Sequence, residues 1–411
     1  MTARLCRFCD APVEQAFVDL GSMPLANAYL TAQQLTRPEP SYPLRAFVCE
    51  QCWLVQADSF VPPEDIFSDY AYFSSYSDSW VEHARRFTDM AQARFGLGAA
   101  SRVIEVASND GYLLRHFVAA GVPVLGIEPA ANVAEAARAI GVPTEARFFG
   151  REAAADLVAR GLSADLVVGN NVLAHVPDIN DFVGGLAAVL KPDGVVSVEF
   201  PHLLRLIEGV QFDTIYHEHF YYLSLLAVER VFAAHGLRVF DVEQLPTHGG
   251  SLRVLACRAG SDAQQTGAGV AQVRAEEAAA GLDRVDIYAG FQGQVAPIRE
   301  ALRRFLADAA ARNQTVAAYG AAAKGNTLLN FSGVGADSIP YVVDRSPAKQ
   351  GHFLPGSHVP IFAPDRIAET RPDYVLILPW NIRDEVMASM AHVRDWGGRF
   401  VVAVPELTVL P

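Results

Sequence analysis

The sequence lacks any run of about 18 uncharged apolar residues, the length that a membrane-spanning helix needs, and its first residues lack the apolar core of a secretory signal. We therefore expect a cytoplasmic protein with no membrane partner. Positive charge is also scarce, since 33 basic side chains stand against 46 acidic ones for a net charge of −13. Because non-specific nucleic-acid binding depends on Lys and Arg, we expect no nucleic-acid partner. The 411 residues suffice for two or three domains.

Cysteine is scarce as well, but four of the five cysteines form two Cys-x-x-Cys pairs. Two such pairs supply the four thiolates of a structural zinc site. Two disulfides or a redox pair are the alternative, which a reducing compartment disfavours. An all-cysteine ligand set leaves no coordination position open for catalysis. Cys257 lies in an apolar strand-like run and is expected to be a buried structural residue. The predicted zinc ligands are Cys6, Cys9, Cys49 and Cys52.

Residues 102–128 alternate between strand and helix patterns, after an amphipathic helical stretch at residues 80–95. We predict strands at 102–106 and 123–128, with a loop at 107–111 and the start of a helix between them. Such β-α-β units bind ligands at the carboxyl ends of their strands, which is where this loop lies. The acidic residue that ends the second strand, Glu128, is placed to accept hydrogen bonds from ribose hydroxyls.

The Gly-x-Gly-x-x-Gly loop that cradles a pyrophosphate is missing here, which disfavours NAD as the cofactor. S-adenosylmethionine has no phosphate, and its sulfonium and amino-acid ends favour the carboxylate and carbonyl oxygens that this loop offers. Phe148, after the third predicted strand, lies against adenine or packs in the core; an Asn pair ends the fourth strand. The predicted S-adenosylmethionine-binding residues are Glu105, Ala107, Asn109, Asp110, Gly111, Glu128, Phe148, Asn170 and Asn171.

The densest group of ionisable and hydroxyl side chains lies at residues 216–222, Tyr-His-Glu-His-Phe-Tyr-Tyr, with His175 and residues 247–253 on either side in the sequence. Burying such a run without partners is costly, so we expect a site in a half-dry cleft. A carboxylate between histidines is typical of a general base and its orienting partner. Two alternatives stay open: His217 and His219 bind a metal, or His175 is a structural histidine.

From about residue 264, an Ala/Glu/Arg-rich helical region leads to a second α/β unit, with predicted strands at 315–320 and 339–344 and a helix between them. Lys324 lies beside the start of that helix, a position that suits a diphosphate. The alternative is a structural domain with a solvated lysine.

Six motifs are spread over the chain: Cys6-x-x-Cys9 with Cys49-x-x-Cys52, Glu105-Val-Ala-Ser-Asn-Asp-Gly111, Asn170-Asn171 with His175, Asp213-Thr-Ile-Tyr216-His-Glu-His219, His248-Gly-Gly-Ser-Leu-Arg253, and Tyr319-Gly-Ala-Ala-Ala-Lys324-Gly-Asn326. With these motifs the chain resembles, over essentially its whole length, the sugar C-methyltransferase family. These are S-adenosylmethionine-dependent enzymes that methylate a carbon of nucleotide-linked ketodeoxysugars in antibiotic and polysaccharide pathways.

The resemblance implies an α/β fold in three parts. These are a small N-terminal zinc-binding module, a central class I methyltransferase domain of Rossmann-like topology, and a second Rossmann-like α/β domain at the C-terminus. We expect them to cover residues 1–68, 69–263 and 264–411. The resemblance also implies that the C-terminal domain helps to hold the nucleotide part of the substrate, with Asp344, Lys349 and the turn 379–381 as further substrate-binding candidates. We expect a monomer or a weak dimer.

The resemblance further implies that a methyl group is transferred to C3 of a nucleotide-linked 4-keto-deoxysugar. Carbon is a poor nucleophile, so a base must first remove the C3 proton and an enolate must form. By this resemblance His219 is the base, Tyr216 donates or relays a proton on the far face, and Glu218 and His175 orient them or stabilise the enolate, with interchangeable roles. Tyr70 closes over the active site, or is an aromatic domain joint. The substrate-binding residues expected are Tyr72, Tyr76, His217, Tyr222, His248, Arg253, Lys324 and Asn326.

Three other functions are compatible with parts of the sequence. An O- or N-methyltransferase needs only a hydroxyl or amine near the methyl donor. A zinc-containing NAD-dependent oxidoreductase is suggested by the C-terminal α/β unit, but the pyrophosphate loop and an open metal site are missing. A zinc-module protein that binds nucleic acid is disfavoured by the net negative charge.

Overall fold

A computed structural model of the chain describes residues 4–59, 61–62 and 74–411. Tyr70 and Tyr72, and the expected domain boundary at residues 68 and 69, lie outside these described residues. No helix in the described ranges combines the length and the apolar character that crossing a membrane requires. The described strands form three sheets, which correspond to the three expected parts of the α/β fold.

The N-terminal sheet is antiparallel and includes one strand from far along the chain. Its strands are β1 Ala16–Met23, β2 Tyr42–Val48, β3 Val55–Ala57 and β9 Tyr221–Tyr222. They pair in the order β1-β2-β3-β9, and the last pairing joins Val55 to Tyr222 and Gln56 to Tyr221. The short strand that follows the Tyr-His-Glu-His motif is therefore part of the N-terminal module.

Helix α1, Asp78–Phe95, confirms the amphipathic helix expected at residues 80–95. It begins where the Ser77 side chain accepts a hydrogen bond from the Trp80 amide (3.3 Å), and it ends at Gly96 in the left-handed conformation. Its buried residues Ala84, Phe87 and Ala91 recur at helical spacing. This face packs on the central domain together with Tyr112 and Phe117.

The central domain is a seven-stranded sheet with helices between the strands. The strands are β4 Val103–Val106, β5 Val124–Ile127, β6 Thr144–Glu145, β7 Ala164–Asn170, β8 Leu190–Pro201, β10 Leu237–Leu245 and β11 Ser251–Arg258. The helices are α2 Leu114–Ala119, α3 Ala131–Ala139, α4 Arg151–Ala159, α5 Ile179–Val189, α6 Leu203–Glu208 and α7 Leu225–Ala234. The strand order is β10-β11-β8-β7-β4-β5-β6, parallel from β6 to β8, with β10 and β11 antiparallel. The Rossmann-like topology is confirmed, and Cys257 is buried in β11.

The C-terminal domain begins with three helices and continues as a six-stranded sheet. Its helices are α8 Ala268–Ala280, α9 Val285–Ala289, α10 Phe291–Ala311, α11 Ala323–Ser332, α12 Asp365–Thr370 and α13 Arg383–Ser389. Its strands are β12 Val316–Tyr319, β13 Val342–Val343, β14 Ile361–Phe362, β15 Tyr374–Ile377, β16 Arg399–Val402 and β17 Thr408–Leu410. The order β14-β13-β12-β15-β16-β17 is parallel up to β16. The predicted second α/β unit is confirmed.

The N-terminal sheet lies between the other two domains and contributes to the core of each. On one side Leu54 and Phe47 pack with apolar residues of β7, α5 and α7. On the other side the core of the C-terminal domain includes Phe17 of β1, whose ring stacks on Phe291 of α10 with 4.4 Å between ring centroids. The three parts therefore share their cores.

Candidate functional site

The four predicted zinc ligands come together in the N-terminal module. The Sγ atoms of Cys6, Cys9, Cys49 and Cys52 all lie within 4.8 Å of one another, and the pairs Cys6–Cys52 and Cys9–Cys49 are 3.5 and 3.6 Å apart. A tetrahedral zinc with Zn–S bonds of about 2.3 Å separates its sulfurs by about 3.8 Å. The four thiols thus fit one structural zinc ion, which confirms the predicted site.

The zinc-binding loops contact the segment that carries the histidine cluster. Arg7, between the first two ligands, donates a hydrogen bond to the Phe220 carbonyl (3.3 Å) and another to the Ala57 carbonyl. Ala57 in turn donates its amide to the Phe220 carbonyl (3.0 Å). The metal site therefore supports the strand β9 that ends the 216–222 segment.

The predicted cofactor loop has an unusual backbone. Directly after β4, Ala107, Asn109 and Gly111 have φ values of 53°, 49° and 80°. Left-handed conformations of non-glycine residues are uncommon and concentrate at ligand sites. Glycine is favoured at position 111 for two reasons: its φ of 80° is a left-handed conformation, and a Cβ there would come within 3.0 Å of Val142 Cγ2. The loop is thus a strained, tightly packed turn at the carboxyl end of β4.

Glu128, at the end of β5, holds this loop in place. Its two carboxylate oxygens accept hydrogen bonds from the amides of Asn109 and Ala130, both at 2.9 Å. Burial raises its pKa. Each carboxylate oxygen has a second lone pair, so ribose binding by Glu128 stays a prediction.

Buried polar atoms without hydrogen-bond partners within the described chain face this loop. They are Glu105 Oε2, Asp110 Oδ1 and both polar atoms of the Asn170 side chain. Burial, followed by the nearby charges of Glu128 and Asp110, raises the pKa of Glu105 well above its ordinary value. A cluster of acidic groups with unused acceptors suits a cationic ligand that carries donors. S-adenosylmethionine, with its sulfonium and ammonium groups, fits these residues.

The turn at Ser74–Tyr76 is attached to the same loop. Asn109 Oδ1 accepts a hydrogen bond from the Ser74 amide (2.8 Å), and Asp110 Oδ2 accepts one from the Ser75 amide (3.1 Å). Tyr76 is 63% exposed at the rim. Phe148 is 46% exposed, so it is not a core residue, whereas its neighbour Phe149 packs edge-to-face on Phe182. The adenine contact of Phe148 stays a prediction.

His175 and His219 form the centre of the predicted catalytic cluster. Their ring centroids are 4.6 Å apart, and the Tyr216 ring lies 4.0 Å from that of His219. His219 Nδ1 donates to the Thr214 carbonyl (2.8 Å), and His175 Nδ1 donates to the Glu218 carbonyl (2.9 Å). Since a carbonyl only accepts, each Nδ1 carries the proton, and Nε2 of each neutral ring is a base.

Burial keeps both imidazoles neutral. It lowers the pKa of His175 to about 4. Burial, with the added effect of the His175 charge, lowers the pKa of His219 well below its ordinary value. At neutral pH both rings are therefore uncharged and able to accept a proton.

Glu218 is a buried carboxyl held by the N-terminal module. Its Oε2 accepts a hydrogen bond from the Asn27 amide group (3.1 Å). Asn27 is in turn the acceptor for the Tyr29 hydroxyl (3.2 Å). Burial raises the pKa of Glu218 to about 7. This carboxyl can thus both donate and accept a proton near neutral pH.

His217 and Tyr222 lie on the other side of the motif, against the N-terminal sheet. His217 Nε2 donates to the Tyr42 carbonyl (3.2 Å), and the Tyr222 hydroxyl donates to the His219 carbonyl (3.3 Å). The two histidines of the His-x-His pair therefore bind different backbone carbonyls. In the described part of the chain, only the four cysteines form a metal-ligand cluster. Substrate binding by His217 and Tyr222 stays a prediction.

Arg253 belongs to a buried ion network. It donates to Glu199 (3.0 Å) and to Glu243 (2.7 Å). Glu199 also binds His83 (2.8 Å) and the Thr247 hydroxyl (3.0 Å). Although burial opposes it, these partners hold the pKa of Glu199 below its ordinary value. The network anchors the turn that carries the next histidine; whether Arg253 also binds substrate stays a prediction.

His248 is the residue that this network positions. It has a left-handed backbone (φ 56°), its Nε2 lies 3.2 Å from the amide nitrogen of Asn171, and its ring packs edge-to-face on Trp80. Burial lowers its pKa to about 4. Because Asn171 follows Asn170 directly, the loop after β7 connects the cofactor side of the site to His248.

The C-terminal domain contributes Lys324 and Trp380 to the same region. Lys324 Nζ donates to Asn381 Oδ1 (2.6 Å) and lies 4.9 Å above the Trp380 ring. Asn326 donates to the Ala26 carbonyl and joins the C-terminal domain to the N-terminal module. Its Oδ1 has no partner in the described chain, so substrate binding by Asn326 stays a prediction. The carboxylate oxygens of Asp344 accept hydrogen bonds from the amides of Ala321 and Ser346, both at 2.8 Å.

Sequence reasoning missed several polar residues that hold the site together. These are Asn27, His83 and Glu199, together with Asp213, whose burial as a carboxylate was not expected. Glu199 and Asp213 did carry a signal. Glu199 is an acidic residue inside an otherwise apolar strand, and Asp213 precedes the histidine motif.

Three family models match successive parts of the chain. They are described as "Putative zinc binding domain" (residues 6–67), "Methyltransferase domain" (80–242) and "C-methyltransferase C-terminal domain" (246–405). A curated relative, C-methyltransferase NovU of Streptomyces niveus, is 38% identical over 405 residues, which cover 98% of this chain and 96% of the relative. This similarity therefore spans all three parts of the molecule.

Two further similarities cover less than half of the chain. A ubiquinone biosynthesis O-methyltransferase of Rhodopseudomonas palustris is 30% identical over 100 residues, which cover 24% of this chain and 40% of that protein. The magnesium protoporphyrin IX methyltransferase ChlM of Synechocystis PCC 6803, solved with bound SAM, shows 14% identity and a TM-score of 0.36. The match covers 49% of this chain and 99% of the ChlM chain. A TM-score this low supports no inference about function.

Proposed function

The chain belongs to the C-methyltransferase family and is an S-adenosylmethionine-dependent enzyme with a structural zinc site, and from this premise we propose that it methylates C3 of a nucleotide-linked 4-keto-deoxysugar through an enolate. The observation that carries the proposal is the half-buried, neutral His219. Its Nδ1 is held by the Thr214 carbonyl, and its Nε2 is left as a base.

Removal of the C3 proton is the step that a C-methyltransferase needs before carbon can attack. The C3–H bond breaks, the proton goes to Nε2 of His219, and the electron pair moves through C3–C4 onto the carbonyl oxygen. His175 and Tyr216, whose rings both pack against the His219 ring, fix its direction and exclude water. Bound S-adenosylmethionine supplies an electrophilic methyl group on a sulfonium. As C3 forms the new carbon–carbon bond, the bond between the methyl group and the sulfonium sulfur would break, S-adenosylhomocysteine would be left, and the enolate pair would return to restore the carbonyl.

Glu218 and Tyr216 are the proposed proton relay. A carboxyl with a pKa of about 7 is present in both protonation states near neutral pH. Asn27 fixes the orientation of Glu218 from the N-terminal module. The roles of His175, Glu218 and Tyr216 stay interchangeable in this proposal.

The loop after β7 supports a shared site for cofactor and acceptor. It runs from Asn170, whose side chain has unused hydrogen-bonding atoms, through Asn171 to His175. The nucleotide part of the acceptor is proposed to lie toward the C-terminal domain.

The test is exchange of the C3 proton with solvent deuterium in His219→Asn. We use a panel of TDP- and UDP-linked 4-keto-6-deoxysugars together with S-adenosylhomocysteine, so that exchange is measured without methyl transfer. The parent enzyme should incorporate deuterium at C3, and His219→Asn should lose at least about 100-fold in rate.

The matched control is His235→Asn. His235 Nε2 forms a hydrogen bond with Asn180 Oδ1 (2.8 Å), in the first turn of α5. This variant should exchange at the parent rate. Exchange in His219→Asn at the parent rate places the base elsewhere. Methyl transfer by the parent to oxygen or nitrogen without C3 exchange refutes the C3 mechanism altogether.

A further inference from the structure

Lysine occurs at three positions in this chain, Lys191, Lys324 and Lys349. Lys349 donates to the Ala321 carbonyl (2.8 Å), whereas Lys324 lies against Trp380. Lys324 is half-buried at the start of α11. Its ammonium is held from two sides, by the Asn381 oxygen at 2.6 Å and by the Trp380 ring at 4.9 Å. The lysine is therefore fixed in position rather than free in solvent.

Trp380 fixes this lysine between the two segments that carry His219 and His248. The indole nitrogen donates to Asp213 Oδ2 (2.7 Å), and Asp213 is followed by Thr214, whose carbonyl orients His219. The other edge of the indole lies against Gly249, where a Cβ would come within 2.5 Å of the ring. Gly249 follows His248. Lys324 thus lies beside both histidine-bearing turns.

Helix α11 and the His219 turn are also joined directly. The Thr327 hydroxyl, one turn after Lys324, donates to the Ile215 carbonyl (3.1 Å). The Lys324 charge contributes to the lowered pKa of both His219 and His248, after burial as the first cause. The C-terminal domain therefore delivers one cation to the place where the proposed base acts.

A diphosphate is a poor match for the immediate surroundings of this cation. Asp213 is fully buried beside it, and one of its oxygens, Oδ1, has no partner in the described chain. Diphosphate sites normally gather several charged or amide donors, whereas the Lys324 ammonium is one donor with the Asp213 carboxyl beside it. A single cation next to a base instead suits one negative charge that develops on a reacting atom.

We propose that Lys324 is a catalytic residue whose ammonium donates a hydrogen bond to the acceptor's carbonyl oxygen and stabilises the enolate that forms when C3 loses its proton. This assignment rests on the proposed function. The electron pair of the broken C3–H bond forms the C3–C4 double bond. The π electrons of the carbonyl group then move onto its oxygen, to which Lys324 donates. When C3 takes the methyl group, that pair returns and the carbonyl reforms, while Lys324 keeps its proton.

The experiment compares Lys324→Met with the parent in three measurements: the C3 exchange rate, kcat and KM for the acceptor, and calorimetric binding of TDP and UDP. We expect Lys324→Met to lose at least about 100-fold in exchange and kcat, with nucleotide binding changed less than about twofold. Lys191→Met, which removes a lysine paired with Asp165 (2.6 Å) outside the site, is the matched control and should match the parent throughout.

Chemical rescue keeps the proposal testable if Lys324→Met is unstable. In Lys324→Ala, added ethylammonium should restore C3 exchange in proportion to its concentration, because it replaces the missing ammonium. A merely structural lysine would show no such rescue.

Two results overturn the role of Lys324. One is C3 exchange at the parent rate in Lys324→Met; the other is a loss confined to KM and to TDP or UDP binding, which would make it a diphosphate ligand. Failure of the parent enzyme itself to exchange C3 would instead refute the proposed function, so the two failures are distinguishable.

Discussion

Backbone carbonyl groups, rather than acidic side chains, orient the imidazoles of this site. Thr214 and Glu218 each offer a carbonyl oxygen to a histidine Nδ1. A carboxylate partner would raise the pKa of the ring, whereas a neutral carbonyl in a buried place leaves desolvation dominant. The rings therefore stay uncharged at neutral pH.

This neutrality has a measurable effect on stability. His175 has a folded-state pKa of about 4, below the ordinary value of 6.5. The unfolded chain therefore binds a proton that the folded chain refuses between these values, and stability falls as pH drops from 6.5 to 4. We expect the stability of the parent relative to His175→Gln to fall by on the order of 3 kcal/mol between pH 7 and pH 4.

Urea unfolding of both proteins at a series of pH values measures this difference. Asp213 and Glu218, whose raised pKa values act in the opposite direction, are present in both proteins and cancel in the comparison. Parallel stability curves for the parent and His175→Gln would contradict the buried, neutral state of this ring.

At the scale of elements, strand β9 links the metal site to the histidine cluster. It forms the edge of the N-terminal sheet and directly follows His219 and Phe220. The zinc-binding loops contact the same stretch through Arg7. Loss of the metal should therefore disturb the His219 segment as well as the module that binds it.

We expect Cys49→Ser to lose bound zinc and to unfold at lower temperature, because structural zinc contributes directly to folding free energy. C3 exchange should fall in the same variant, since β9 loses its support. The measurements are metal content, thermal unfolding and exchange rate. Cys257→Ala, which removes the cysteine of β11 and spares the ligand set, should retain one zinc per chain. Unchanged metal content and thermal stability in Cys49→Ser would contradict the zinc site.

Most elements of the central and C-terminal sheets could be predicted from sequence, since buried parallel strands are continuous apolar runs. Strands β4, β5, β7 and β12 lie where those runs predict them. Strand β9 could not be predicted, because a two-residue pairing depends on a partner far away in the chain.

The same distinction applies to the site. The cysteine pairs and the histidine motif are local and dense, and could be recognised in the sequence. Asn27 and His83 are single polar residues whose importance comes from the acidic groups that the fold places beside them. Phe148 and Phe149 show the limit of a local pattern, because the sequence does not indicate which ring faces inward.

For the whole molecule, the expected domain limits do not coincide with separate cores. One core contains residues of β1 and β2, of α6 in the central domain, and of α10 to β16 in the C-terminal domain. Trp53, beside a zinc ligand, also stacks on Tyr288 of α9 with 5.9 Å between ring centroids. We therefore expect the N-terminal module and the C-terminal domain to unfold together.

Phe17→Ala tests this expectation. Phe17 is fully buried between the N-terminal sheet and α10, and removal of such a ring costs about 3–5 kcal/mol. Calorimetry should show that the transition of both parts shifts to lower temperature. Val118→Ala, on the exposed side of α2, should have little effect. A shift confined to an N-terminal transition, with the C-terminal domain unchanged, would contradict a shared core.

The position of β9 also sets an order of events during synthesis. The last zinc ligand, Cys52, leaves the ribosome long before Tyr222, the partner of Val55. At about 5–20 residues per second, the roughly 165 residues between these strands take on the order of ten to thirty seconds to make. During that interval the nascent module can bind metal, but β3 has an open edge. A chaperone that shields edge strands would therefore act on this chain between the completion of the zinc ligands and the emergence of the catalytic motif.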